Sequence, residues 1–145
     1  MPRRLKISLK RDEALRVTRV TIGKYKLVYV LVADKRLKYN KSKSRIAYIG
    51  TTKNGVARIA RSVAARADDI LLRHGVRTFH ARIVVCQPRQ RVATWKKLER
   101  ALLITFRERF GEVPKCNSHG RKMKPTDEFR YFGHRGVDNV IDELS

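Results

Sequence analysis

One carboxylate sits where chemistry or a special partner is required. Glu99 has Trp95 four residues before it, Leu102 and Leu103 three and four residues after it, and Phe106 seven after it. In a helix these positions share one face. A carboxylate on an apolar face needs a paired cation, from its own helix or a neighbouring element, or a bound metal ion. Two tyrosines lie in apolar runs, Tyr29 in LVYVLV and Tyr48 in AYIG. Such residues pack as half-buried strand aromatics or hydrogen-bond a reacting group. Gly50 follows Tyr48, at a place where the backbone turns or approaches a ligand closely. Arg58 comes eight residues later. Its planar fork matches a phosphate, and its other reading is a solvated arginine on a basic face. The histidines at His74, His80, His119 and His134 include no pair at helical spacing, so no histidine metal cluster is expected. Cys86 and Cys116 are 30 residues apart with neither a CxxC nor a CxxxH pattern. They read as two reduced thiols of an intracellular protein rather than a zinc site.

The elements that must carry these residues follow from periodicity. Residues 26–33, KLVYVLVA, form a continuous apolar, β-branched run, as in a central strand covered on both faces. Residues 34–44 read as a basic polar connection and 45–50 as a second strand, with a hairpin as the simplest link. TTKNG is a turn. A helix is expected over 56–74, with Val56, Ile59, Val63, Ala67, Ile70 and Leu71 at helical spacing and Arg58, Arg61, Arg66 and Arg73 on a basic face. Gly75 suits its C-cap. A third strand fits 78–86 and a second helix 92–110, closed by Gly111. A Lys-, Arg- and Gly-rich loop spans 114–126. The aromatic segment FRYFG at 129–133 either caps the core or stacks on bases, and a short helix fits 137–144. Residues 1–24 are a basic extension or one or two short strands, from the alternation in LKISLK and LRVTRVTIG. The order β, β, α, β, α and tail predicts a mixed α+β domain: a small antiparallel central sheet flanked by helices.

Charge bounds the class of partner. The chain has 145 residues, 35 Lys plus Arg against 13 Asp plus Glu, and a formal net charge of +22. That is one domain's length, with enough apolar residues for a core without disulfide or metal staples. Self-repulsion of this size is relieved by a polyanion, either nucleic acid or an acidic membrane surface. No apolar run approaches the roughly 18 residues of a membrane span. MPRRLKISLKRDE lacks the apolar segment of a secretory signal. A cytoplasmic, nucleoid-associated protein without a membrane partner is therefore expected.

Read in order, Leu27-Val28-Tyr29, then Ala47-Tyr48-Ile49-Gly50, then Arg58, Glu99 and Asn117 in KCNSHG resemble the GIY-YIG nuclease family. The resemblance covers residues 26–118, leaving 119–145 as a C-terminal tail with a short helix. It aligns Tyr29 with the tyrosine closing the family's first motif, and Tyr48 and Gly50 with the ends of the second. Arg58 matches the helix arginine, Glu99 the metal-binding glutamate and Asn117 the late asparagine. The first motif keeps only its tyrosine. Ser62 stands one turn after Arg58, where many members carry His or Tyr.

The resemblance implies a metal-dependent endonuclease hydrolysing phosphodiester bonds in DNA, with RNA left open as a substrate. Glu99 would hold Mg²⁺ or Mn²⁺. Arg58 would neutralise phosphoryl charge, Tyr29 or Tyr48 would deprotonate or orient the attacking water, and Asn117 would order the site. A tyrosine serves as a base only if nearby cations lower its pKa, a task that falls to Arg58 and Lys53. Lys43, Arg45, Lys53, Arg61, Lys115 and Arg121 are expected to grip the nucleic-acid backbone, giving affinity and salt dependence. With one domain, target recognition must come from loops, tails, a homodimer partner or a separate targeting subunit. The alternative is a non-catalytic basic nucleic-acid-binding protein, of ribosomal or nucleoid type, on the same fold.

Overall fold

The uninterrupted apolar run becomes the middle strand of the sheet. In the computed structural model, which describes residues 3–14, 16 and 26–145, β1 spans Leu27–Lys38 and every residue from Leu27 to Ala33 is buried. It pairs antiparallel with β2, Lys43–Thr52, on one side and with β3, Phe79–Val84, on the other, giving the order β2-β1-β3. A strand flanked on both edges and buried on both faces has no solvated row to fill with polar residues, which explains its lack of alternation.

The basic connection expected at 34–44 is mostly strand. β1 runs on to Lys38 and β2 begins at Lys43, leaving a four-residue link at 39–42. Arg36 and Lys38 point outward while Leu37 and Tyr39 are buried, so a period of two was hidden among charges. The pairing register shifts between Leu31 and Val32 and again between Val32 and Leu37. A bulged strand of this kind bends and twists more strongly.

α1, Val56–Asp68, continues into a single wide π turn at Asp69–Arg73. α2, Thr94–Phe110, ends at Gly111 in the left-handed conformation, φ +81°, whose N–H donates to the Arg107 carbonyl. Residues Ala101 to Phe106 of α2 are all buried, because the helix packs on β1 and β2 and also against α3, Glu128–Tyr131, and α4, His134–Leu144. α4 begins three residues earlier than periodicity suggests. Phe106 lies 5.0 Å from Tyr39 and 4.4 Å from Phe110, ring centroid to centroid, and joins the hairpin end to α2.

The outer edge of β2 is covered by the 115–117 segment. Cys116 N–H donates to the Ala47 carbonyl (2.9 Å). The Asn117 side chain accepts from Ile49 N–H (3.0 Å) and donates to the Ile49 carbonyl (2.8 Å). Pairing the edge in this way leaves less unpaired backbone to template aggregation.

At the N-terminus, residues 3–14 and 16 form no strand, and Leu5, Ile7 and Leu9 are more than 90% exposed. The alternation in LKISLK finds no partner strand among the described residues. LRVTRVTIG lies almost wholly outside them. No helix of the described residues is long and apolar enough to cross a membrane.

Candidate active site

The register of the β1–β2 hairpin brings the two tyrosines together. Tyr29 pairs with Gly50 and Leu31 with Tyr48, so Tyr29, Tyr48 and Gly50 share one face of the sheet. The rings lie 5.8 Å apart, tilted by 40°. Both lean over Gly50: a Cβ added there would sit 2.5 Å from Tyr48 Cε1, 2.8 Å from the Tyr48 hydroxyl and 3.0 Å from Tyr29 Cζ. The glycine is required by this close approach and not by a turn.

α1 supplies the next layer. The Tyr29 hydroxyl hydrogen-bonds Ser62 Oγ at 2.5 Å, and Arg66 Nη1 donates to the same oxygen at 2.7 Å. The Arg66 guanidinium stacks on the Tyr48 ring, 3.8 Å from its centroid. Arg66 therefore leaves the solvated basic face expected of it and closes over the tyrosines. Its i, i+4 spacing from Ser62 was the available signal.

Tyr48 titrates in the direction opposite to the one a base would need. Its phenol is pushed up to about 12, first by burial and then by the neighbouring Tyr29, with Arg66 offsetting part of the rise. Arg66, rather than Arg58 or Lys53, is the cation against it.

Glu99 and Glu128 are two carboxylates with contrasting environments. Glu128 is 1% exposed. It accepts from Arg100 Nε (2.5 Å), Thr126 N–H (2.7 Å) and the Thr126 hydroxyl (2.8 Å). Burial would raise its pKa, but these donors outweigh burial and hold it at about 2. The Glu99 side chain is 15% exposed, and among the described residues no Lys or Arg comes within ion-pair distance of it. Within ion-pair distance among the described residues lies only the His119 ring, Nε2 to Oε1 at 3.9 Å. Burial pushes the Glu99 carboxyl above its usual value, with His119, Thr51 and Arg100 offsetting part of the rise.

The other expected residues fall into two groups. Arg58 is exposed and lines a shallow open depression with Thr51, Lys53, Asn54 and Trp95. Thr51, on the rim of this depression, also lies against Glu99, and the Glu99 charge in turn acts on Tyr48. Arg61 is exposed one turn beyond Arg58 on α1. Asn117 is different: it is buried, and its amide is used on the Ile49 backbone, so it holds the 115–120 loop against β2. Lys43 and Arg45 lie at the far end of β2 from Lys53, roughly 30 Å away at the rise of an extended strand. Lys115 reaches Glu112 at 3.0 Å and sits 4.9 Å from the Tyr39 ring. Arg121 is exposed on the loop that Arg107 gathers through the carbonyls of Gly120, Arg121 and Met123. In the FRYFG segment, Phe129 stacks on His134 at 4.0 Å and Phe132 packs against the core, so at least these two aromatics serve packing.

Comparison with protein-family models, with curated proteins and with solved structures finds no match to this chain.

Proposed function

We propose that the chain is a metal-dependent endonuclease of GIY-YIG type acting on DNA. The observation that carries this reading is Glu99: a largely buried carboxylate whose charge acts on Tyr48, with no Lys or Arg partner within ion-pair distance among the described residues of a chain of net charge +22. A protein so rich in cations could have neutralised it with an arginine, as it does Glu128. The donor set suits Mg²⁺ or Mn²⁺, which bind through one or two carboxylates and keep several waters. When bound, such an ion would polarise the scissile phosphate and lower the pKa of a bound water.

The chain's own residues would do the rest. Arg58, exposed beside the Glu99 neighbourhood, would bind a phosphoryl oxygen and stabilise the charge that grows on it. Tyr48, protonated across the neutral range, would act as a hydrogen-bond donor and not as a base. Tyr29, held by Ser62, would orient the attacking water; Ser62 would thus position a phenol where many family members place a titrating side chain. Lys53 and Arg61 extend the cationic surface on either side of Arg58.

The test is cleavage of a labelled duplex with and without Mg²⁺ or Mn²⁺. Wild type is expected to cut only with metal, Glu99→Ala to be inactive, and Arg58→Ala to lose about 100-fold in rate. Tight binding without cleavage under either metal would leave the non-catalytic binding protein as the reading. The raised pKa of Tyr48 favours that second reading, because it removes one candidate base.

A further inference from the structure

The end of α1 holds a side-chain group that the nuclease reading does not use. Asp69, His74 and Cys116 each offer a ligand atom, and these atoms all lie within 4.8 Å of one another. All three residues are half-buried. We propose that they form a binding site for a borderline divalent cation, Zn²⁺ above all, with a fourth position left for water.

The local backbone supports this assignment independently. In a regular α-helix, residues five apart point about 140° away from each other. A π turn closes its hydrogen bond at five residues, so positions i and i+5 come nearly one above the other. The π turn here spans Asp69–Arg73, and His74 is the residue that caps it. The widened turn thereby aligns Asp69 with His74, and such turns frequently mark functional sites. The third ligand comes from a distant loop whose position is also set by backbone bonds. Cys116 N–H is tied to Ala47, and Asn117 is tied to both polar groups of Ile49.

The chemistry of the donors selects the ion. One thiolate, one imidazole and one carboxylate are the mixed set that zinc accepts, with three protein ligands and an open fourth place. Ligands held about 2.0–2.3 Å from one zinc are roughly 3.3–3.8 Å apart, so closing this group takes shifts of about an ångström. An ionised Asp69 and a Cys116 thiolate would balance a dication, giving a neutral site. Burial and the neighbouring Asp69 push the Cys116 thiol up to about 12, with Arg66 and Arg73 offsetting only part of the rise, so a bound ion must displace the thiol proton. Bound metal would staple the end of α1 to the loop that covers β2 and carries His119 toward Glu99. The sequence showed none of this, because the ligands lack regular metal-site spacing and only the π turn and the tertiary fold gather them.

Titration of the full-length protein with Co²⁺ tests the site without reference to cleavage. Wild type is expected to develop a near-ultraviolet sulfur-to-cobalt charge-transfer band at one equivalent, removed by added Zn²⁺. Cys116→Ser and His74→Ala are expected to lose it, while Cys86→Ser and Glu99→Ala keep it. Zn²⁺ should raise the melting temperature of wild type and leave that of Cys116→Ser unchanged. If Cys116→Ser does not fold, the comparison of His74→Ala with Cys86→Ser decides. Absence of the band in wild type overturns the proposal, as does its survival in the folded Cys116 or His74 variant or its loss in Cys86→Ser. Because Glu99→Ala should keep the band, failure of this site and failure of the nuclease reading are separable.

Discussion

Gly50 acts through what it lacks. Its missing Cβ leaves room for Tyr48 Cε1 and for Tyr29 Cζ, which would lie 2.5 Å and 3.0 Å from an added methyl. Gly50→Ala is therefore expected to displace both rings and to destabilise the fold by about 1–3 kcal/mol, as overpacking does. A thermal melt checks the first consequence, and loss of the Tyr29–Ser62 contact in a crystal structure of the variant checks the second. Glu128 makes the complementary case. Its pKa is lowered from 4.5 to about 2, so its contribution to stability is complete above 4.5 and is lost as pH falls toward 2. Glu128→Gln should flatten stability across that acid window. Arg100→Ala should cost about 3 kcal/mol near neutrality, because it leaves a buried carboxylate without its cation. Denaturant melts at a series of pH values measure both.

At the scale of elements, the 115–117 segment behaves as a partial fourth strand. Asn117 satisfies the N–H and the carbonyl of Ile49, which point away from β1. Removing that amide leaves two buried backbone groups without their partner, at about 1–3 kcal/mol each. Asn117→Ala is expected to speed amide hydrogen exchange at Ile49 and at Cys116 while leaving the β1–β3 ladder protected. Unchanged exchange at Ile49 would mean that Asn117 does not hold this edge. Periodicity made the helices and the central strand readable, since α1, α2 and β1 each carry a long apolar pattern. It failed at 34–44, where Leu37 and Tyr39 are the only two apolar residues in an otherwise polar stretch, and packing against α2 rather than local preference sustains the strand.

At the scale of the whole molecule, the basic residues expected to grip nucleic acid do not all lie together among the described residues. Lys53 and Arg58 line one depression and Arg61 lies one turn further along α1, whereas Lys43 and Arg45 stand at the opposite end of β2. If nucleic acid lies across the Glu99 neighbourhood, neutralising Lys53, Arg58 and Arg61 together should reduce the log–log salt slope of DNA binding by about 2–3, each phosphate contact contributing roughly 0.9. The paired change at Lys43 and Arg45 should leave that slope almost unaltered. Fluorescence anisotropy across a salt series distinguishes the two.

Residue types and their order alone determined the charge and the β-β-α-β-α plan, because these depend on composition and on local periodicity, while the grouping of Tyr29, Tyr48, Gly50, Arg58 and Glu99 rested on a family resemblance. The tertiary structure decided what each residue faces. It turned Arg66 from solvent onto Tyr48, directed the Asn117 amide to the backbone of β2, and gave an arginine to Glu128 but to Glu99 only a histidine among the described residues. It also brought Asp69 and His74 together with Cys116, more than 40 residues further on. Such pairings depend on strand register, on one widened helical turn and on a loop laid along a sheet edge. Each is set by long-range packing, which a one-dimensional pattern does not encode.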